Sequence, residues 1–370
     1  MNASLPDVQA LSAGRVFTGD RWLDNHTVLY DRQRILQILP TGSVDPAVPR
    51  RDFPDGILAP AFLDLQIYGA YGKLLAVYPE PDSLARLEQY CRSGGAKYCM
   101  PTVATNDAAV FRRSIDAIRA YWKAGGTGVL GLHVEGPWIN PVRKGAHLER
   151  FIHAPSLDEV KDLLDYGQDV IRIITLAPEV CSPEVIRYLL SRGIILSAGH
   201  SNASYQEAME GFHLGIPAAT HLYNAMSPLQ HRAPGLVGAV FNHPSVMASI
   251  IPDGHHVDFP AIRIAKKMLG ERLFVITDAV TQTEEGPYPH QLVGDKYESA
   301  GILSGSALTL NRAVRNLVEM TEIPLEEALR MCSLYPARVV RLDQRLGRIA
   351  PGFEPALVAL DRDLNVLGMS

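Results

Sequence analysis

Cysteine is scarce in this sequence. Only Cys91, Cys99, Cys181 and Cys332 occur in 370 residues, and no two form a C-x-x-C pair. That scatter argues against a disulfide framework and fits a reducing compartment. No apolar run approaches the roughly 20 residues a membrane-spanning helix needs. There is no Lys/Arg block, and the net charge is −5, so neither nucleic acid nor membrane is an expected partner. The opening M-N-A-S-L-P-D-V-Q-A has no basic start and no apolar core. No signal peptide is expected, the expected location is cytoplasmic, and the sequon at Asn202 reads as chance. The phosphate loops G-x-G-x-x-G and G-x-x-x-x-G-K-[ST] are both missing, which disfavours a doubly wound nucleotide-binding sheet.

What is present is ordinary globular composition, 47% hydrophobic and 20% charged. From about residue 57 a rhythm sets in of short apolar run, loop and amphipathic helix. The runs cover 57–67, 96–103, 128–135, 170–177, 194–200, 217–222, 246–253 and 272–279. Near-continuous apolar runs suit strands of a parallel sheet buried on both faces. Between them lie helical patterns such as 182–193, opened by Ser182 and Pro183 and closed by Gly193. Eight such units predict an α/β fold, a (β/α)8 barrel. The two ends, 8–50 and 347–367, read instead as short strands with turns. The expected division is a small β-sandwich domain from 1–56 plus 345–370, and a barrel from 57–344.

In such barrels catalytic groups lie at the C-terminal ends of strands. Four of the predicted strands end on an ionisable residue: Glu135, His200, His221 and Asp278. Two imidazoles and a carboxylate suit a catalytic metal site with one position left open, and a further carboxylate is available as a general base. Burying such groups without partners costs several kcal/mol each, so their recurrence at strand ends is hard to ascribe to packing. His133, two residues before Glu135, shares its face and is expected one layer down. Many metal-dependent hydrolases carry two histidines at alternating positions ending the first strand. Here those positions hold Gln66 and Tyr68. The expectation is one metal, with Gln66 a neutral hydrogen-bonding neighbour and Tyr68 packing at the pocket wall. Arg232, in H-R-A-P-G, and the histidines of R-K-G-A-H and D-G-H-H-V suit an anionic substrate, phosphate first.

Taken together, L-H-V-E-G-P-W-I-N-P-V-R-K-G-A-H, G-H-S-N-A-S-Y, T-H-L-Y-N-A-M-S-P, H-R-A-P-G-L-V-G-A, D-G-H-H-V, T-D-A and L-S-G-S-A-L-T are specific. From about residue 57 onward the chain resembles the N-acetylglucosamine-6-phosphate deacetylases of the amidohydrolase superfamily. The resemblance implies a distorted barrel with a small β domain from both termini. It implies that Glu135, His200 and His221 hold one divalent metal per subunit, Zn2+ first, with Fe2+, Mn2+ and Co2+ as alternatives. Asp278 is then the general base and acid, and His147 polarises the acetyl carbonyl. Ala146, Asn224, Ala225, Asp253, His256, Leu303, Ser304 and Gly305 match substrate-binding positions. Arg232 matches an arginine that reaches the sugar phosphate across a homodimer interface. The implied products are glucosamine 6-phosphate and acetate.

The sequence departs from that pattern at Ala61, Tyr68, Tyr71 and His255, and its loop 281–299 is short. The galacto epimer is a second candidate substrate. A deaminase or cyclic amidase of the same superfamily would use a similar metal set, and a non-enzymatic sugar-phosphate sensor would use the same anion-binding groups.

Overall fold

The computed structural model describes residues 8–370. The stretch 1–7, where no signal peptide is expected, lies outside the described residues. By packing, the chain divides into one unit of 8–63, 91–97 and 310–370, and another of 64–90 and 98–309. The pattern-based division placed the helical stretch 310–344 with the barrel; here it groups with the chain ends.

The first unit is built on one mixed sheet of six strands drawn from both ends of the chain. Its order is Val366–Met369, Leu357–Leu360, Arg50–Pro60, Gln9–Phe17, Trp22–Tyr30 and Ile35–Pro40. Gln9–Phe17 runs antiparallel to Trp22–Tyr30 and parallel to Arg50–Pro60. The C-terminal strand Leu357–Leu360 pairs antiparallel with Ile57–Pro60. Leu11, Val16, Val28, Ile35, Leu58 and Leu357 are buried together in its core. The predicted strand 57–67 is therefore two strands. Its first part belongs to this terminal sheet and ends at Pro60. Its second part, Phe62–Ile67, opens the barrel sheet.

All eight predicted barrel strands are found. They are Phe62–Ile67, Ala96–Ala104, Leu132–Glu135, Ile171–Leu176, Ile195–Ala198, Ala218–Ala219, Met247–Ile250 and Leu273–Val275, each beside the next in chain order. A helix follows each strand, as in Pro183–Ser191. There Ser182 caps the first turn by accepting from Val185 N, and Pro183 occupies the first position, where no N–H is needed. The barrel nearly closes just past its eighth strand. Asp278 N donates to Gln66 O (3.0 Å) and Tyr68 N to Ala279 O (2.9 Å).

Polar side chains fill the layer beneath the barrel mouth, and their proton directions can be derived. Burial pushes the pKa of His133 down to about 4, so its ring is neutral near pH 7. Its Nδ1 lies 3.1 Å from Leu65 O, which can only accept, so Nδ1 carries the proton. Nε2 then accepts from Thr175 Oγ1 (2.7 Å). Thr175 accepts from Thr220 (2.7 Å), and Thr220 from Ser197 (2.6 Å). His133 thus sits one layer below Glu135, as expected. Gly199 passes between two of these groups. A Cβ there would lie 2.9 Å from atoms of Thr175 and Thr220.

On the first strand Asp64 is buried beneath Gln66. It accepts from Thr277 Oγ1 (2.5 Å), Thr277 N (3.2 Å) and Gln66 N (3.3 Å). Burial outweighs these bonds and raises its pKa from 3.8 to about 7. The native state therefore holds a proton that the unfolded chain has already released. Asp64 contributes stability that is complete below pH 3.8 and is lost as pH rises through about 7. Urea unfolding of the wild type and Asp64→Asn checks this. The wild type should lose stability relative to the variant across that pH window, and a constant difference would contradict the assignment.

Candidate active site

Glu135, His200, His221 and Asp278 lie at or just beyond the C-terminal ends of the third, fifth, sixth and eighth strands. Three of the four have left-handed backbone: φ is 47° at His200, 37° at His221 and 54° at Asp278. Few non-glycine residues adopt such angles, and strain of this kind persists where surrounding contacts fix it. At each, the chain turns sharply out of its strand, and the side chain is buried at the mouth of the barrel.

The geometry at Glu135 is that of a cation site. Its Oε1 lies 3.3 Å from His200 Nε2 and 3.1 Å from His221 Nε2, and those two nitrogens are 3.1 Å apart. His200 Nδ1 is 3.0 Å from Arg143 O, and His221 Nδ1 is 3.2 Å from Asn224 O. Both carbonyls can only accept, so both Nδ1 atoms carry protons. In the neutral tautomers both Nε2 lone pairs then face each other and a carboxylate. A second-layer acceptor that fixes the ring in this way is the usual arrangement behind a metal-bound histidine. Burial works against a charge on Glu135. The imidazoles of His147, His200 and His221 outweigh this and hold its carboxyl well below the ordinary range. Burial presses His200 down to about 4, while Glu135 overcomes burial and holds His221 above its usual value. Three acceptors with too few protons between them fit a divalent ion.

Around this core stand fixed neighbours. Gln66 Nε2 is 2.9 Å from Glu135 Oε1, 2.8 Å from Asp278 Oδ1 and 2.8 Å from Tyr68 Oη. Tyr68 donates to Glu135 Oε2 and lies 3.3 Å from Asp278 Oδ1. Burial and the charges of Asp278 and Glu135 keep its phenol protonated far above the ordinary value. Gln66 and Tyr68 thus place neutral donors between two carboxylates. His147 Nδ1 bonds Thr105 Oγ1 (2.6 Å), and its Nε2 is 3.3 Å from Glu135 Oε2. The turn after Glu135 needs glycine: at Gly136 φ is 79°, and a Cβ would lie 2.0 Å from Thr105 Oγ1. Asp253 Oδ2 bonds His256 Nδ1 (2.6 Å), leaving His256 Nε2 3.8 Å from Asp278 Oδ2. Burial raises the carboxyl of Asp278 above its ordinary value.

These groups line a cavity of about 190 Å³. Of the residues expected from sequence, Glu135, Ala146, His147, His200, His221, Asn224, Ala225, His256, Asp278, Leu303, Ser304 and Gly305 line it. Asp253 stands behind His256, and Gln66 behind the two carboxylates. Arg232 does not line it; it is exposed and has no partner among the described residues. No lysine or arginine among the described residues lines the cavity. Sequence reasoning missed Thr105, Tyr288 and His290, and left Tyr68 as wall packing.

Residues 58–368 match the amidohydrolase family, and residues 9–56 match the NagA composite domain. The N-acetylglucosamine-6-phosphate deacetylase of Haemophilus influenzae is 31% identical over 364 residues, covering 95% of this chain and 95% of that protein. The N-acetylgalactosamine-6-phosphate deacetylase of Escherichia coli is 32% identical over 367 residues, covering 96% of each. The crystal structure of the Pasteurella multocida N-acetylglucosamine-6-phosphate deacetylase superposes with a TM-score of 0.94 at 34% identity, over 98% of both chains. A variant of the Mycobacterium smegmatis enzyme, in complex with N-acetyl-D-glucosamine-6-phosphate, gives 0.90 at 27% identity, over 98% of this chain and 97% of that one. The chain belongs to the amidohydrolase family, in the branch that holds the N-acetylglucosamine-6-phosphate deacetylases.

Because an ion at Glu135, His200 and His221 would bind the native state, its removal should lower stability. At a free metal concentration about 100 times Kd the difference is about 2.7 kcal/mol. Thermal unfolding before and after chelation, then with Zn2+ restored, measures it. An unchanged Tm in all three would exclude a tightly held structural ion.

Proposed function

We propose that the protein hydrolyses the acetamido bond of N-acetylglucosamine 6-phosphate, releasing acetate and glucosamine 6-phosphate. The observation that carries this is the meeting of Glu135 with two imidazole lone pairs beside Asp278, in a chain similar to such deacetylases over nearly its whole length. The galacto epimer is the second reading, favoured by the comparable similarity to the Escherichia coli relative.

Glu135, His200 and His221 would hold one divalent ion, Zn2+ first, then Fe2+, Mn2+ or Co2+. Such an ion supplies Lewis acidity, polarising a carbonyl and bringing the pKa of water from about 16 toward about 7. Asp278 takes the proton of the attacking water. Its Oδ1 faces Gln66 and Tyr68, so Oδ2 is the atom free to accept. The raised pKa makes that proton easier to hold. As the C–N bond breaks, Asp278 returns the proton to the departing amine. His147, anchored at Nδ1 by Thr105, presents Nε2 to the acetyl oxygen, where negative charge develops. His256 and its partner Asp253 orient the substrate beside Asp278.

The phosphate needs a cation that the described cavity walls lack. Arg232, exposed and without a partner among the described residues, supplies it to the second subunit of a homodimer. A guanidinium offers paired donors matched to phosphate oxygens.

Acetate release followed by NMR tests the function, comparing the two phosphorylated epimers with the unphosphorylated sugars. The phosphorylated gluco sugar should be preferred, and equal rates with and without phosphate would sink the phosphate assignment. Asp278→Asn should keep its metal and lose about 10²–10⁴ in kcat, the usual worth of a general base. A variant with full metal and near wild-type kcat would remove Asp278 from that role. Arg232→Ala should raise KM for the phosphorylated sugar by about tenfold or more, consistent with a charge-assisted bond, and leave the unphosphorylated sugar unaffected. Sedimentation of the same variant checks that the dimer persists.

A further inference from the structure

The segment 281–306 contributes one wall of the cavity. Its strands Gln291–Val293, Lys296–Ser299 and Ile302–Ser306 form a small antiparallel sheet. Two aromatic side chains from its first loop, Tyr288 and His290, line the cavity with Leu303, Ser304 and Gly305. Both are held in place. Tyr288 Oη donates to Thr105 O (2.5 Å) and accepts from Leu148 N (3.2 Å). His290 is locked by reciprocal backbone bonds with Thr283 (3.1 and 2.9 Å), and its Nδ1 lies 2.8 Å from Ser304 Oγ.

His290 differs from the other imidazoles of the cavity. At His147, His200, His221 and His256 each ring nitrogen faces a protein group within 4 Å. At His290 only Nδ1 has a hydrogen-bond partner among the described residues, Ser304, and Nε2 has no hydrogen bond or ion pair there. The residue is only 6% exposed and lines the cavity, and Nε2 is not sealed from it, so this atom is open to a molecule bound there. A polar group of a bound molecule can take the place of the water that otherwise pairs with it. Burial lowers the pKa of His290 to about 4, so the ring is neutral near pH 7. If Ser304 donates to Nδ1, Nε2 presents a proton; if Nδ1 donates to Ser304, Nε2 presents a lone pair. A hydroxyl satisfies either, because it both donates and accepts. A phosphate does not, because it can only accept from a neutral ring.

We infer that His290, oriented by Ser304, is a specificity-determining residue that hydrogen-bonds a ring hydroxyl of the amino sugar. This rests on the substrate reading above and adds a contact outside the metal and phosphate positions.

The test uses full-length wild type, His290→Phe and His290→Gln. Acetate release is measured from the phosphorylated N-acetyl amino sugar and from its 3-deoxy and 4-deoxy analogues. His290→Phe keeps an aromatic ring and loses the bond. It should lower kcat/KM about tenfold on the full sugar, the worth of one neutral hydrogen bond, with metal content unchanged. On one deoxy analogue the wild type and the Phe variant should then be equal, because the partner hydroxyl is gone. His290→Gln, which keeps a donor and an acceptor, should recover part of the loss, and it carries the same comparison if the Phe variant does not fold. Losses that are the same on all three sugars, or no loss at all, would overturn the assignment of His290. No acetate from any sugar with wild type would instead overturn the substrate reading.

Discussion

The arrangement of the barrel mouth depends on one electrostatic requirement. A buried carboxylate and two imidazole nitrogens with lone pairs turned inward cannot share a small volume without positive charge between them. Everything within reach is organised around Glu135. Backbone carbonyls fix the two rings with their protons pointing away, Gln66 offers a neutral hydrogen to Oε1 beside those rings, and Tyr68 and His147 stand at Oε2. The backbone angles at His200 and His221 follow from the same demand, because an ordinary strand continuation would carry those rings away from the centre.

Tyr68 shows how a family site can be rebuilt with different atoms. At the two alternating positions that end the first barrel strand, this chain brings an amide and a phenol. Their hydrogens bridge Glu135 and Asp278, whose sequence positions are far apart. Two hydrogen-bond donors there ease the repulsion between the carboxylates without adding net charge.

Much of this was legible in the sequence, for physical reasons. Strands buried on both faces announce themselves as apolar runs, so all eight barrel strands could be read. Because barrels present chemistry at strand ends, the residues closing those runs stood out. The placement of His133 followed from the alternation of side chains along a strand. What could not be read were choices made by distant parts of the chain. The run 57–67 stays apolar throughout, and nothing in its period marks the passage from one sheet to another. Tyr68 looked like packing because its partners lie 67 and 210 residues away. Thr105, Tyr288 and His290 sit in loops whose composition is that of any loop, and only the folded arrangement aims them at the cavity.

The near closure of the barrel has a mechanical side. The backbone bonds that join its last strand to its first are made by Gln66, Tyr68, Asp278 and Ala279, so the seam of the cylinder runs through the reacting groups themselves. A barrel that breathes will part most easily at its seam, and here parting would separate Asp278 from Gln66 and Glu135. An ion and substrate seated at that point would act as a clasp. Occupancy of the site and integrity of the cylinder would then be coupled through the same few backbone bonds.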